Sequence, residues 1–120
     1  MKEKDIKIGD YFAVNGEVVK VQETELCLCG IWDSQENFHT VGYEELEPIP
    51  LTKEILEKNG WEKCDDGVGY YNHYLLLIPA HGRVEIYVCG RKHTWLRNVA
   101  YVHELQHILW ALGIDDNLKL

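Results

Sequence analysis

No stretch of the 120-residue chain reaches the 18 or so consecutive apolar residues that a membrane-spanning helix requires. Met1-Lys2-Glu3-Lys4-Asp5 passes straight into polar-apolar alternation without a charged-then-apolar leader, so a protein that stays in the cytoplasm, with no membrane partner, is expected. Positive charge is scarce: 12 Lys and Arg stand against 20 Asp and Glu, for a formal net charge of −8. Such a surface repels a phosphate backbone over most of its area, which disfavours general nucleic-acid binding. Only Arg91, Lys92, Trp95 and Arg97 form a local basic and aromatic group, and a solvated loop or strand end is the simpler reading of it. The Cys-x-x-Cys knuckle of a zinc ribbon is also missing. Cys27-Leu28-Cys29 on a strand puts two thiols on one face, and with Cys64 and Cys89 the expectation in a reducing compartment is free thiols; a four-cysteine zinc site is the alternative. No Ser or Cys sits in a nucleophile motif, and Gly67 and Gly69 beside Asp65-Asp66 read as turn chemistry rather than a phosphate loop.

What is present is ordinary globular material, 46% apolar and 27% charged with 13 aromatics, at the length of one domain. Asn15-Gly16 between Tyr11-Phe12-Ala13-Val14 and Glu17-Val18-Val19-Lys20-Val21 predicts a hairpin, because both central residues of a type I′ turn need positive φ. Residues 25–31 and 38–41 read as two further strands, giving an expected small, curled, SH3-like antiparallel sheet. Glu47-Pro48-Ile49-Pro50 separates this half from a short helix over 53–58, with Thr52 as N-cap and Gly60 at the left-handed stop. A strand over 70–78, a turn over 79–82 and a strand over 83–89 then form a second hairpin. His39 and His73 are expected to serve structure, and Tyr70, Tyr71 and Tyr74 to pack, with a stacking surface as the alternative for the tyrosines. The fold class is α+β, one domain over 1–120, with possible sub-units at 5–47 and 51–120.

The chemistry-bearing stretch is His103-Glu104-Leu105-Gln106-His107. On a helix this His-Glu-x-x-His spacing stacks two imidazoles one turn apart, able to share one zinc ion while the glutamate acts as general base. At 100° per residue Tyr101, Val102, Leu105, Ile108, Leu109 and Leu112 fall within an arc of about 120°, and His103 and His107 point away from it. The expected geometry is therefore a core-facing stripe with a solvated His/Glu/His back. A zinc peptidase would need a third ligand, and only Asp115 and Asp116 follow as carboxylates. Trp110 stands where a longer metalloprotease motif turns on glycine, and His81, Glu85 and His93 lie in an unusual chain order. No metal or other cofactor is the favoured reading, with zinc on His103 and His107 and catalysis by Glu104 as the alternative.

Leu46-Glu47-Pro48-Ile49-Pro50-Leu51-Thr52, Gly60-Trp61-Glu62-Lys63 and Tyr101-Val102-His103-Glu104-Leu105-Gln106 together resemble an uncharacterised family of short Bacteroidetes proteins, often carried by phages and mobile elements. The resemblance covers nearly the whole chain and brings no activity, substrate or cofactor. The family pattern is Tyr-Val-His-x-Leu-Gln, with Gln where Glu104 stands and Asn where His107 stands, which implies that the zinc motif of this chain is a local coincidence. The expected function is thus a small cytoplasmic, non-enzymatic module acting on a protein partner.

Overall fold

The computed structural model describes residues 6–25 and 28–120. Its strands are set by three two-residue turns whose central residues all have positive φ: Asn15-Gly16 (52° and 80°), His73-Tyr74 (51° and 69°) and His81-Gly82 (52° and 76°). The first joins β1 (Tyr11–Val14) to β2 (Glu17–Thr24), as the Asn-Gly signal predicts. β3 (Leu28–Trp32) and β4 (Phe38–Gly42) complete a four-stranded antiparallel sheet in chain order. Neither this sheet nor the second one is closed or strongly curled, so the architecture is mixed α+β built on open antiparallel meanders.

After the proline segment, α1 (Lys53–Lys58) starts on the Thr52 hydroxyl, which accepts the Ile55 amide at 3.3 Å. It ends through Gly60 at φ +81°, which lets the Trp61 amide donate back to the Leu56 carbonyl at 3.1 Å. The strand expected over 70–78 is broken. The His73-Tyr74 turn divides it into β6 (Tyr70–Asn72) and β7 (Leu75–Ala80), and β5 (Glu62–Lys63), β8 (Arg83–Val88) and β9 (Thr94–Val99) extend the expected hairpin to five strands in chain order. A histidine and a tyrosine at positive φ carry no glycine-like signal, so periodicity ran through the turn unnoticed. Its placement also exposes Tyr71 and Tyr74, of the three tyrosines expected to pack; Tyr70 alone is buried.

The last element is α2 (Val102–Ala111), closed by Gly113 at φ +71° and an Ile114 amide bond to the Leu109 carbonyl at 2.8 Å. Val102, Leu105, Ile108 and Leu109 pack with α1 and with Leu75, Leu77, Val84, Ile86 and Val99 on the inner face of the five-stranded sheet. A second cluster, including Phe12, Val19, Val21, Cys29 and Ile31, belongs to the four-stranded sheet. The described residues measure 45 × 25 × 24 Å. Among the described residues no helix is long and apolar enough to cross a membrane.

Cys29, Cys64 and Cys89 are free thiols. Cys29 is buried in the second cluster, where desolvation and then the nearby Glu45 charge push its thiol up and keep it protonated. Cys64 follows β5 and Cys89 follows β8 in the other half, and Cys27 lies outside the described residues.

Candidate functional site

The His-Glu-x-x-His helix does not turn its histidines to water. His103 retains 6% of its exposure and His107 is half-buried, because the four-stranded sheet covers the side of α2 that a single-core helical analysis leaves solvated. Tyr101 and Leu112, which the same analysis places in the core, are exposed instead. The helix is clamped on two sides, and one apolar stripe describes only one of them.

Each member of the motif has a different neighbour. The His103 ring lies 4.7 Å from that of Phe12 on β1 and stacks on Tyr101 at 6.0 Å, with an interplanar angle of 11°. The Glu104 carboxylate turns back on its own helix: Oε1 accepts the amides of Ala100 at 2.9 Å and Tyr101 at 3.1 Å, and Oε2 stands 3.6 Å from an Arg97 guanidinium nitrogen. That is the N-terminal capping role of an acidic residue at the third helical position. His107 Nε2 is 2.6 Å from Oδ2 of Asp10, a carboxylate with 2% exposure that also accepts the Lys7 amide at 2.8 Å. The two imidazoles meet edge to face at 5.7 Å between centroids. Among the described residues, no three His, Cys, Asp or Glu side chains converge as a metal site would need.

The remaining metal candidates lie elsewhere. Glu85 faces away from α2 on the outer side of the sheet, His81 is in the β7–β8 turn, and His93 is in the exposed loop before β9. Asp116 contributes its backbone carbonyl and Asp115 caps the Asn117 amide at 2.9 Å. Trp110 is exposed on a helix that continues past it, with the Lys7 ammonium 2.8 Å from its ring centroid.

Between the two histidines sits the residue that sequence reasoning passed over. Gln106, at 1% exposure, accepts the Tyr11 amide through Oε1 at 2.9 Å and donates from Nε2 to the carbonyls of Gly9 at 3.0 Å and Asp116 at 3.1 Å. One amide side chain thus ties the edge strand of one sheet, the helix under the other and the C-terminal segment. The bonds that join Asp10 and Gln106 across the two halves show no local signal, since those partners are 95 to 97 residues distant in the chain.

The basic and aromatic group is dispersed. A bulge between Ile86 and Tyr87 against β9 pairs Tyr87 with Trp95 but Ile86 with Arg97. Trp95 therefore lies outward, its indole N–H donating to Asn98 Oδ1 at 3.0 Å, whereas Arg97 reaches Glu104 on the helix side. Arg91 and Lys92 occupy the exposed β8–β9 loop.

The outer face of the five-stranded sheet has the opposite character to the inner one. Strand pairing sets Glu62, Tyr71, Leu76, Tyr87 and Trp95 opposite one another, one from each strand from β5 to β9. Tyr71 and Trp95 are 46% and 56% exposed, and Leu76 and Tyr87 are half-buried. The Tyr71 hydroxyl donates to Glu62 at 2.7 Å and the Tyr87 hydroxyl to Glu85 at 3.3 Å. Bonding to Glu62 raises the Tyr71 phenol above its ordinary range; burial, then the Glu85 charge, does so for Tyr87. Both rings thus stay neutral, with their apolar faces toward solvent. Three of the five members of this row lie within 70–88, but the broken strand and the bulge decide which residues line up. Comparison with protein-family models, curated proteins and solved structures finds no match to this chain.

Proposed function

We propose that this chain is a small, non-enzymatic, cytoplasmic interaction module of the mobile-element type its sequence resembles, and that it binds a protein through the outer face of the five-stranded sheet. The observation that carries this reading is the Tyr71, Leu76, Tyr87 and Trp95 row, in which Tyr71 and Trp95 are exposed and Leu76 and Tyr87 half-buried. Tyrosine and tryptophan are the side chains that interfaces favour, since they bring large contact area with little rotamer entropy to lose. The carboxylates of Glu62 and Glu85 on the same face oppose a phosphate backbone and so favour protein over nucleic acid.

The engagement of His103, Glu104 and His107 with Phe12, the helix N-terminus and Asp10 supports the same reading, since a water-activating glutamate must be released from its cap. Two measurements test it. Affinity capture from host cells should retain a stoichiometric protein that is lost with the double variant Tyr71→Glu, Trp95→Glu and kept with His107→Gln. Purified without a polyhistidine tag, a protein carrying about one zinc per chain that is lost in His103→Ala, together with peptide hydrolysis lost in Glu104→Gln, would replace this reading by a zinc peptidase.

A further inference from the structure

An open sheet leaves unpaired backbone groups along its edge strands, and natural chains normally protect them. Three of the four edges of this molecule are protected. On β1 the backbones of Ala13 and Glu47 exchange amide bonds at 2.9 and 2.8 Å, and Gln106 takes the Tyr11 amide. β5 is two charged residues long, and β9 is bulged, with Leu96 as its extra residue, and is followed by Ala100, whose carbonyl takes the Leu51 amide. β4 has none of these devices. Phe38-His39-Thr40-Val41-Gly42 pairs with β3 in unbroken register and contains no proline and no Lys, Arg, Asp or Glu. Among the described residues no other strand pairs with its far side.

The direction of its free groups follows from two bonds. The Asp33 amide donates to the Asn37 carbonyl at 3.0 Å, and bonded and non-bonded pairs alternate along an antiparallel ladder. Ile31–His39 and Cys29–Val41 are therefore the bonded pairs, while Phe38, Thr40 and Gly42 aim their amides and carbonyls away from β3. The Gly42 amide agrees, since it donates to Glu45 Oε2 at 2.7 Å. Phe38 and Thr40 thus offer the amide and carbonyl of two exposed residues to solvent.

Beside this edge lies a recess of about 290 Å³, to which His39, Thr40 and Val41 of β4 contribute. Its apolar lining is completed by Val14, Val19 and Ile31. Its charged lining is Glu17, Asp33 and Glu45, with no Lys or Arg. Glu17 accepts the Ser34 amide, Asp33 the Gln35 and Asn37 amides and Glu45 the Gly42 amide, so the three carboxylates are held in place.

We propose that β4 is a docking edge for an extended segment of a partner protein, which adds a strand to the four-stranded sheet and places a Lys or Arg side chain in the recess. This site is on the opposite sheet from the Tyr71–Trp95 row and does not depend on it. Backbone bonds to Phe38 and Thr40 hold any extended segment; alternate side chains choose among segments. Partner residues opposite His39 and Val41 point to the side of the recess, where an alkyl stem covers Val41 and the cation meets the carboxylates. Those opposite Phe38 and Thr40 point the other way, beside Trp32 and Phe38, which are 39% and 45% exposed and meet edge to face at 5.7 Å. The segment that fits therefore alternates basic and apolar side chains. A net charge of −8 on the chain favours its approach.

Panning a random decapeptide display library on the full chain, then titrating the enriched peptides by fluorescence polarisation, tests this. The enriched peptides should carry Lys or Arg at alternate positions and bind more weakly as salt is added. Thr40→Pro removes an outward amide and no ladder bond, so the chain should fold while affinity falls by about tenfold. Glu17→Gln together with Glu45→Gln keeps both amide acceptors and should weaken basic peptides by about as much. A ligand-side measurement leaves the protein untouched: N-methylation of the peptide amides that face β4 should abolish binding, and methylation of the alternate set should not. No enrichment, enrichment without basic residues, or binding indifferent to Thr40→Pro and to either methylation pattern overturns the proposal. Loss of binding with Tyr71→Glu, Trp95→Glu would place the peptide on the other sheet and overturn it too. A dimer that Thr40→Pro dissociates, with no peptide selected, would assign the edge to a second copy of the chain instead.

Discussion

The two sides of α2 hold the molecule together by different physics. Toward the five-stranded sheet, Val102, Leu105, Ile108 and Leu109 bury apolar surface, which is strong but indifferent to direction. Toward the four-stranded sheet, His103, Gln106 and His107 meet Phe12, the Tyr11 and Gly9 backbone and Asp10 at defined distances. The first side holds the helix down; the second fixes its register against another sheet, because buried hydrogen-bonding groups must match partner by partner. A motif that reads as catalytic from its spacing thus lies on the side of the helix where polar residues serve as registration points.

The largest test of this contrast is Leu105→Ala on the apolar side. It should lower unfolding free energy by about 3 kcal/mol in denaturant titration, through lost burial and the cavity left behind. On the polar side, Gln106→Met keeps the volume but strands the Tyr11 amide and two carbonyls, and should cost about 2 kcal/mol. Amide exchange sharpens the difference: Gln106→Met should speed exchange at Tyr11, whereas Leu105→Ala should act across the five-stranded sheet. Glu104→Ala should remove the helix cap for about 1 kcal/mol, and Glu104→Gln almost nothing, since glutamine caps as well. A large loss in the glutamine variant would mean that the carboxylate charge, and hence Arg97, outweighs the cap.

The smallest effect lies at the far end of the four-stranded sheet. Asp33 accepts the Asn37 and Gln35 amides and pairs with His39 at 2.7 Å. The Asn37 amide foremost, against some desolvation, holds its carboxyl below the usual value of 3.8. A depressed carboxyl stabilises the fold at pH above the unfolded value and loses that contribution as pH falls through the folded one. Asp33→Asn should therefore flatten stability specifically below about pH 4, and NMR titration should find Asp33 ionising below its unfolded range.

Much of the architecture was legible because its signals are local. Asn15-Gly16 states its turn, Thr52 and Gly60 state the ends of α1, and alternation in Val84, Ile86 and Val88 states the inner side of β8. The His73-Tyr74 turn and the β9 bulge were not legible, since neither uses the residues that usually mark such features. The site was legible least of all. The 3.6-residue period placed Val102, Leu105, Ile108 and Leu109 on a covered side of α2, misplaced Tyr101 and Leu112 at its ends, and left the opposite side to water.

The sequence alone determined the α+β class, the hairpin at Asn15, the limits of α1 and the apolar stripe of α2, because each depends on residues within a few positions of one another. Tertiary structure decided that His103 and Gln106 are buried, that Asp10 faces His107, and that four strands align Tyr71, Leu76, Tyr87 and Trp95. Those outcomes depend on strand register and on contacts spanning most of the chain, and hydrogen bonds between such distant groups leave no periodic trace in the order of the residues that make them.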